Sequence, residues 1–168
     1  MLRSAPDDDR FHSRKPPRLK NYDYSSPNYY FITICTWDKS CIFGAPGKLS
    51  SWGRIAEELL LELGQHFENA KVDKYVVMPN HVHMILHNSE KTPGDGPMWS
   101  SAPTDVNIST VMRTWKTLIT KELGQSIFQR SYYDHVIRDE QSYVEIAEYI
   151  MGNPGKWAED KYFFASKG

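Results

Sequence analysis

Residues 29–37, YYFITICTW, constrain the fold of this chain more than any other segment. The run is built from aromatic and β-branched side chains and carries no charge, which reads as a strand buried on both faces and therefore central in a sheet. A loop with Gly44, Pro46 and Gly47 follows, and then a serine pair opens a helical pattern over residues 52–67. There Ile55, Leu59, Leu60, Leu63 and Phe67 recur at spacings of three and four, the mark of an apolar stripe laid on a sheet. Residues 74–78 (KYVVM) and 81–87 (HVHMILH) read as two more strands, separated by Pro79 and Asn80, which remove a ladder donor and favour a turn. A second helix is expected over 105–123, from Ile108, Val111, Met112, Trp115, Leu118, Ile119 and Leu123, with Asp105 or Asn107 as cap. A short strand over 132–137 and a third helix from the cap Asp139 to about Gly152 complete the pattern, closed by Asn153-Pro154. This order predicts an α+β, ferredoxin-like two-layer sandwich: a mostly antiparallel sheet with helices packed on one face.

Length and composition narrow the class. With 168 residues, 40% apolar and 24% charged, the chain is expected to be one soluble globular domain. No apolar run approaches the roughly 20 residues of a membrane helix, and the first 20 residues are polar, so neither membrane insertion nor secretion is expected. Two cysteines, Cys35 and Cys41, cannot form a disulfide framework or a four-ligand zinc site and suit the reducing cytoplasm. The net charge of −1 argues against coating nucleic acid by bulk charge, though a local basic surface remains open. Residues 1–28 read as a flexible basic arm preceding a single domain over 29–168. Arg10, Arg14, Lys15, Arg18 and Lys20 follow one another there without an intervening acid, as suits phosphate contacts or simply a solvated tail.

The chemistry-bearing residues are few. His81 and His83 alternate around Val82 in a strand, so both imidazoles point to one face with Cα atoms about 7 Å apart, close enough to share a metal ion. His87 shares their parity but lies about 13 Å beyond His83 along the strand, too far to join them. A purely structural role for the pair stays open. On the third helix, with Tyr143 at 0°, the apolar Val144, Ile146, Ala147, Ile150 and Met151 fall within roughly 100° of a direction near 20°. Tyr149 falls at about 240° and Asn153 about 40° from it, a polar strip outside the stripe, or else a half-packed tyrosine. Arg113, Lys116, Arg130 and Arg138 join Arg14, Lys15, Arg18 and Lys20 as candidates for phosphate contacts, each with the alternative of a solvated charge. Trp37, Trp99, Tyr132 and Tyr133 are candidates for stacking on bases, whereas Trp115 lies in a core stripe. His135 is either a support of the site or a core histidine.

The blocks PNHVH (79–83), YYDHVIR (132–138) and YIMGNP (149–154), with the opening 29–43, resemble the HUH single-tyrosine transposases, and most of all the REP-associated group related to insertion-sequence-200-like enzymes. The resemblance spans about Arg18 to Trp157 and keeps the order and spacing of the blocks. It implies a ferredoxin-like enzyme that cuts and rejoins single-stranded DNA beside a hairpin, with a divalent metal, Mg²⁺ or Mn²⁺, held by His81 and His83. It assigns Tyr149 as the nucleophile that forms a 5′-phosphotyrosine. It maps a third ligand onto Asn153, where insertion-sequence-200-like relatives carry a glutamine. The shorter side chain leaves Asn153 either as a ligand, as holder of a metal-bound water or as a helix cap. Relatives act as homodimers or as monomers, and both arrangements stay open. A non-catalytic hairpin-binding descendant is the main alternative. A histidine-triad hydrolase is disfavoured because Ile85 stands where its third histidine belongs, and an amidohydrolase barrel needs more than about 200 residues.

Overall fold

The structure, a computed structural model, describes residues 19–90 and 106–163. Arg14, Lys15, Arg18, Trp99 and Asp105 therefore lie outside the described residues, as does most of the expected arm. In chain order the elements are β1 (Asn28–Cys35), the short hairpin β2 (Gly44–Ala45) and β3 (Lys48–Leu49), α1 (Ser51–Leu61), α2 (Leu63–His66), β4 (Ala70–Met78), β5 (His81–Asn88), α3 (Ile108–Leu123), β6 (Tyr133–Ile137) and α4 (Glu140–Gly152). A 3-10 segment, Asn153–Glu159, continues directly from α4. Each long helix starts on a side-chain cap: Ser50 accepts from the Gly53 amide, Asn107 from Ser109 and Asp139 from Ser142. These caps satisfy donors that have no partner within a helix. The helix expected over 52–67 is divided at Glu62, with α2 continuing after it.

Four strands form one sheet in the order β4-β5-β1-β6, and every neighbouring pair is antiparallel. The aromatic strand β1 is indeed central, with β5 on one side and β6 on the other. Because successive side chains alternate faces, Tyr30, Ile32 and Ile34 of β1 join Val82, Met84 and Leu86 of β5 in the larger core. There they meet Ala56 and Leu60 of α1 and Val111, Trp115 and Ile119 of α3. The Trp115 indole donates to the Ala56 carbonyl at 3.1 Å, so that buried ring also satisfies its polar atom.

The expectation of helices on a single face needs correction. Phe31, Ile85 and Ile137 point to the opposite face and are covered by Ile146 and Ile150 of α4. The reason lies in β1 itself, which buries both of its faces and so requires cover on both. On α4, Val144 is 45% and Met151 69% exposed, so the covered stripe is centred on Ile146 and Ile150, about 60° from the direction expected. This rotation places Tyr149 at the rim of the packed face, and Asn153 within it.

Candidate functional site

The site lies on the α4 face of the sheet. His81 and His83 of β5 are fully buried, and their Nε2 atoms face one another at 3.0 Å. What aims them is the pair of contacts behind the rings. Asn80 donates from Nδ2 to the carbonyls of Tyr162 (2.7 Å) and Lys39 (3.2 Å), which fixes the orientation of its amide. Its Oδ1, which can only accept, meets His81 Nδ1 at 2.8 Å, so Nδ1 carries the proton and Nε2 presents a lone pair. Thr33, opposite His83 in the β1–β5 register, places Oγ1 2.7 Å from His83 Nδ1. The Pro79-Asn80 turn is itself pinned, since the Phe43 amide donates to the Pro79 carbonyl and the Thr36 amide to that of Asn80.

Asp160, just beyond the 3-10 segment, brings Oδ2 to 3.6 Å from His81 Nε2 with only 4% of its side chain exposed. The distance is that of an ion pair, but burial pushes the His81 pKa down to about 3. Burial, and then the neighbouring His81, hold His83 well below its ordinary value too. Burial thus favours the neutral form of both rings, and His81 turns its Nε2 lone pair towards His83 and the Asp160 carboxylate. Ligand atoms of His81, His83 and Asp160 all lie within 4.8 Å of one another. Two imidazole nitrogens and one carboxylate oxygen form a donor set that fits a divalent cation, and the outer contacts from Asn80 and Thr33 are of the kind that orient metal-binding histidines.

Tyr149 lies beside this group. Its hydroxyl is 3.3 Å from His83 Nε2, and its ring packs edge-on to Phe31 and against the His83 ring at 5.2 Å. Ile146 and Ile150, one turn before and one residue after, hold it there by filling the space over Phe31 and Ile85. Asn153 caps α4 through its amide, is 4% exposed, and its Oδ1 is buried without a hydrogen-bond partner. The structure thus brings His81, His83 and Tyr149 together and adds Asp160, which the sequence pattern did not single out. The nearest signal in the sequence is the pair of rings Trp157 and Tyr162, of a kind that packs back on a domain rather than staying in water. Both rings do so, Tyr162 lying 4.5 Å and Trp157 6.0 Å from His81 between ring centroids. His87, by contrast, stacks on Tyr29 away from the pair. His135 is half-buried on β6, and burial lowers its pKa.

The described basic candidates divide by place. Arg113, Lys116 and Arg130 line one groove beside α3, whereas Arg138 lines a separate cavity with Tyr29 and Tyr143 near the start of α4. Lys20 is exposed. Trp37 is also exposed, and no helix among the described residues is long and apolar enough to cross a membrane.

No protein-family model matches the chain. A protein of Haemophilus influenzae, described as uncharacterized, is 34% identical over 169 residues, covering 90% of this chain and 94% of that one. Among solved structures, a REP-associated tyrosine transposase bound to a REP hairpin superposes with a TM-score of 0.61, over 83% of this chain and 73% of that one at 19% identity. A Deinococcus radiodurans protein provisionally described as a transposase covers 80% of this chain at a TM-score of 0.46 and 15% identity, a looser likeness of shape.

Proposed function

Since the chain belongs to one family with the Haemophilus influenzae protein and has the fold of a tyrosine transposase, we propose that it breaks and rejoins single-stranded DNA next to a hairpin. The observation that carries this reading is the Tyr149 hydroxyl 3.3 Å from His83 Nε2, at the edge of the His81–His83–Asp160 group. A nucleophile beside a compact set of metal donors is the arrangement that phosphodiester exchange requires. The hairpin bound by the solved neighbour makes hairpin-flanking DNA the substrate to try first.

In the proposed reaction the Tyr149 oxygen bonds to phosphorus and the bond from phosphorus to the 3′ oxygen breaks. The segment on the 3′ side of the cut remains on the enzyme through its 5′-phosphate, as a phosphotyrosine, and the phenolic proton is balanced by the proton gained on the released 3′-hydroxyl of the other segment. One ester replaces another, so no nucleotide hydrolysis is needed, and attack by a different 3′-hydroxyl rejoins strands. His81, His83 and Asp160 would hold a divalent cation, Mg²⁺ or Mn²⁺, whose chemistry is Lewis-acid polarisation of the scissile phosphate. Asn80 and Thr33 keep the two imidazoles aimed at one point. Asn153, with its buried Oδ1 unsatisfied, is a further oxygen donor for this cation or for a water bound beside it. Phe31, Ile146 and Ile150 pack around the tyrosine ring and hold it beside the histidine pair.

The test is covalent. Hairpin oligonucleotides with single-stranded flanks, incubated with the protein and Mn²⁺, are expected to give an adduct that survives a denaturing gel and disappears with Tyr149→Phe. Hairpins that bind without any adduct across a panel of flanking sequences would favour a silent binding protein instead.

A further inference from the structure

The two histidines of the site differ in what stands behind them, and the difference assigns their protons. Asn80 Nδ2 is committed to the carbonyls of Tyr162 and Lys39, so Oδ1 is the atom that meets His81 Nδ1, and it can only accept. His83 instead meets a hydroxyl, Thr33 Oγ1, at 2.7 Å from Nδ1. An amide oxygen accepts and does nothing more, whereas a hydroxyl offers one proton and two lone pairs. We propose that His83 is a tautomer switch. Without metal its Nε2–H bonds to His81 Nε2, and on metal binding the proton is carried on Nδ1, where Thr33 turns from donor to acceptor. The proposal rests on the reading of His81, His83 and Asp160 as metal donors, and adds how the pair is held before an ion arrives.

The metal-free arrangement follows from counting lone pairs. With its proton on Nδ1, His81 turns a lone pair from Nε2 towards His83 at 3.0 Å. The Asp160 carboxyl lies on the same side, its Oδ2 3.6 Å from that nitrogen. Were His83 also protonated on Nδ1, the two ring nitrogens and the carboxyl oxygen would converge with no proton from either ring among them. Both rings are fully buried, where polar atoms facing one another unbonded are costly. A proton on His83 Nε2 removes the conflict. The Tyr149 hydroxyl is the rival partner of that nitrogen, but it stands further off, at 3.3 Å.

With the proton so placed, Thr33 donates to His83 Nδ1 and the bonds run one way. They pass from Thr33 to His83, to His81, to Asn80 and on to the carbonyls of Tyr162 and Lys39. Bonds aligned in this manner polarise and strengthen one another.

The same bond keeps the pair at ligating size. Two nitrogens that share one ion at bonds of about 2.0–2.1 Å and a tetrahedral angle stand roughly 3.3 Å apart. At 3.0 Å the hydrogen-bonded pair is close to that spacing, so the proton holds the place of the ion. What has to change is the tautomer of one ring. The nitrogen of a histidine that binds metal is set by the hydrogen bond of the other, and metal-binding imidazoles donate that other N–H to an oxygen. His81 does so already, to Asn80. His83 does so once the Thr33 hydroxyl turns about its C–O bond, which leaves the oxygen in place. One N–H bond breaks at Nε2 and one forms at Nδ1, by way of water, and the ring is neutral before and after. Thr33 is thus a positioning residue in both states, held opposite His83 by strand register.

Nitrogen-15 NMR of the full chain labelled at histidine reads the assignment, because protonated and bare ring nitrogens resonate far apart. Without metal, His81 is expected as the Nδ1–H tautomer and His83 as the Nε2–H tautomer. Adding Zn²⁺, a diamagnetic probe that imidazole binds well, should convert His83 to Nδ1–H and leave the His81 tautomer as it was. Tyr149→Phe should leave both metal-free tautomers unchanged. Thr33→Val should also keep them, since His81 dictates them, yet bind Zn²⁺ about 10- to 100-fold more weakly, while Thr33→Ser stays near the wild type. A metal-free His83 that is Nδ1–H or doubly protonated at neutral pH overturns the proposal. So does an Nε2–H lost in Tyr149→Phe, or a His83 tautomer that Zn²⁺ leaves as it was. A chain that shows the two tautomers and their exchange but forms no adduct with hairpin DNA removes the reading as a strand-breaking enzyme and leaves the switch standing.

Discussion

Replacing Thr33 with valine tests whether the two histidines are aimed by the groups behind them. Thr33 is 2% exposed and its hydroxyl lies 2.7 Å from Nδ1 of the fully buried His83. Valine has nearly the same volume, so no cavity opens, but a buried ring nitrogen loses this partner. A polar group deprived of its partner in the interior costs about 1–3 kcal/mol. Outer contacts of this kind typically account for 10- to 100-fold in metal affinity, which at about 1.4 kcal/mol per tenfold is roughly 1.4–2.7 kcal/mol. The two ranges agree, so Thr33→Val is expected to weaken Mn²⁺ binding by one to two orders of magnitude in calorimetric titration, with the fold retained by circular dichroism. Thr33→Ser keeps the oxygen and loses only a methyl group, and should recover most of the affinity. Equal losses in the two variants would assign the effect to methyl packing. Wild-type affinity in Thr33→Val, or no Mn²⁺ binding by the wild-type protein, would refute the view that Thr33 orients a metal-binding imidazole.

Asp160→Asn should lower Mn²⁺ affinity more than tenfold by calorimetry, because it removes the one carboxylate of the donor group. Unchanged affinity would exclude Asp160 as a ligand. At the start of α4, hydrogen bonds from the Ser142 amide and hydroxyl hold the Asp139 carboxyl below its ordinary value of 3.8. Its contribution to stability is therefore complete above that value and lost as pH falls through the lower folded one. Asp139→Asn retains a capping oxygen without a titrating group, so its thermal midpoint should fall less over that acid range. Parallel pH profiles for the two proteins would remove the cap from the acid response.

The parts of this protein legible in its sequence are those set by short-range periodicity. Alternation along residues 81–87 was enough to put both imidazoles on one face, because parity in a strand leaves only two choices. The uncharged run at 29–37 likewise fixed the centre of the sheet. The same run, buried on both sides, also implied a second covering layer, and α4 supplies it. Its stripe was misdirected because Val144 and Met151 count as apolar in any periodic pattern although packing leaves them exposed. Asp160 and Thr33 depend on something else: contacts between distant segments. Thr33 meets His83 through strand register, and Asp160 reaches His81 because the chain continues past α4 and returns Tyr162 to the Asn80 amide. A carboxylate in a polar tail has no period to mark it. What gives it meaning is a pair of neutral, buried imidazoles 3.0 Å apart with outward contacts already made, since such a pair lacks only a cation and the negative charge to balance it.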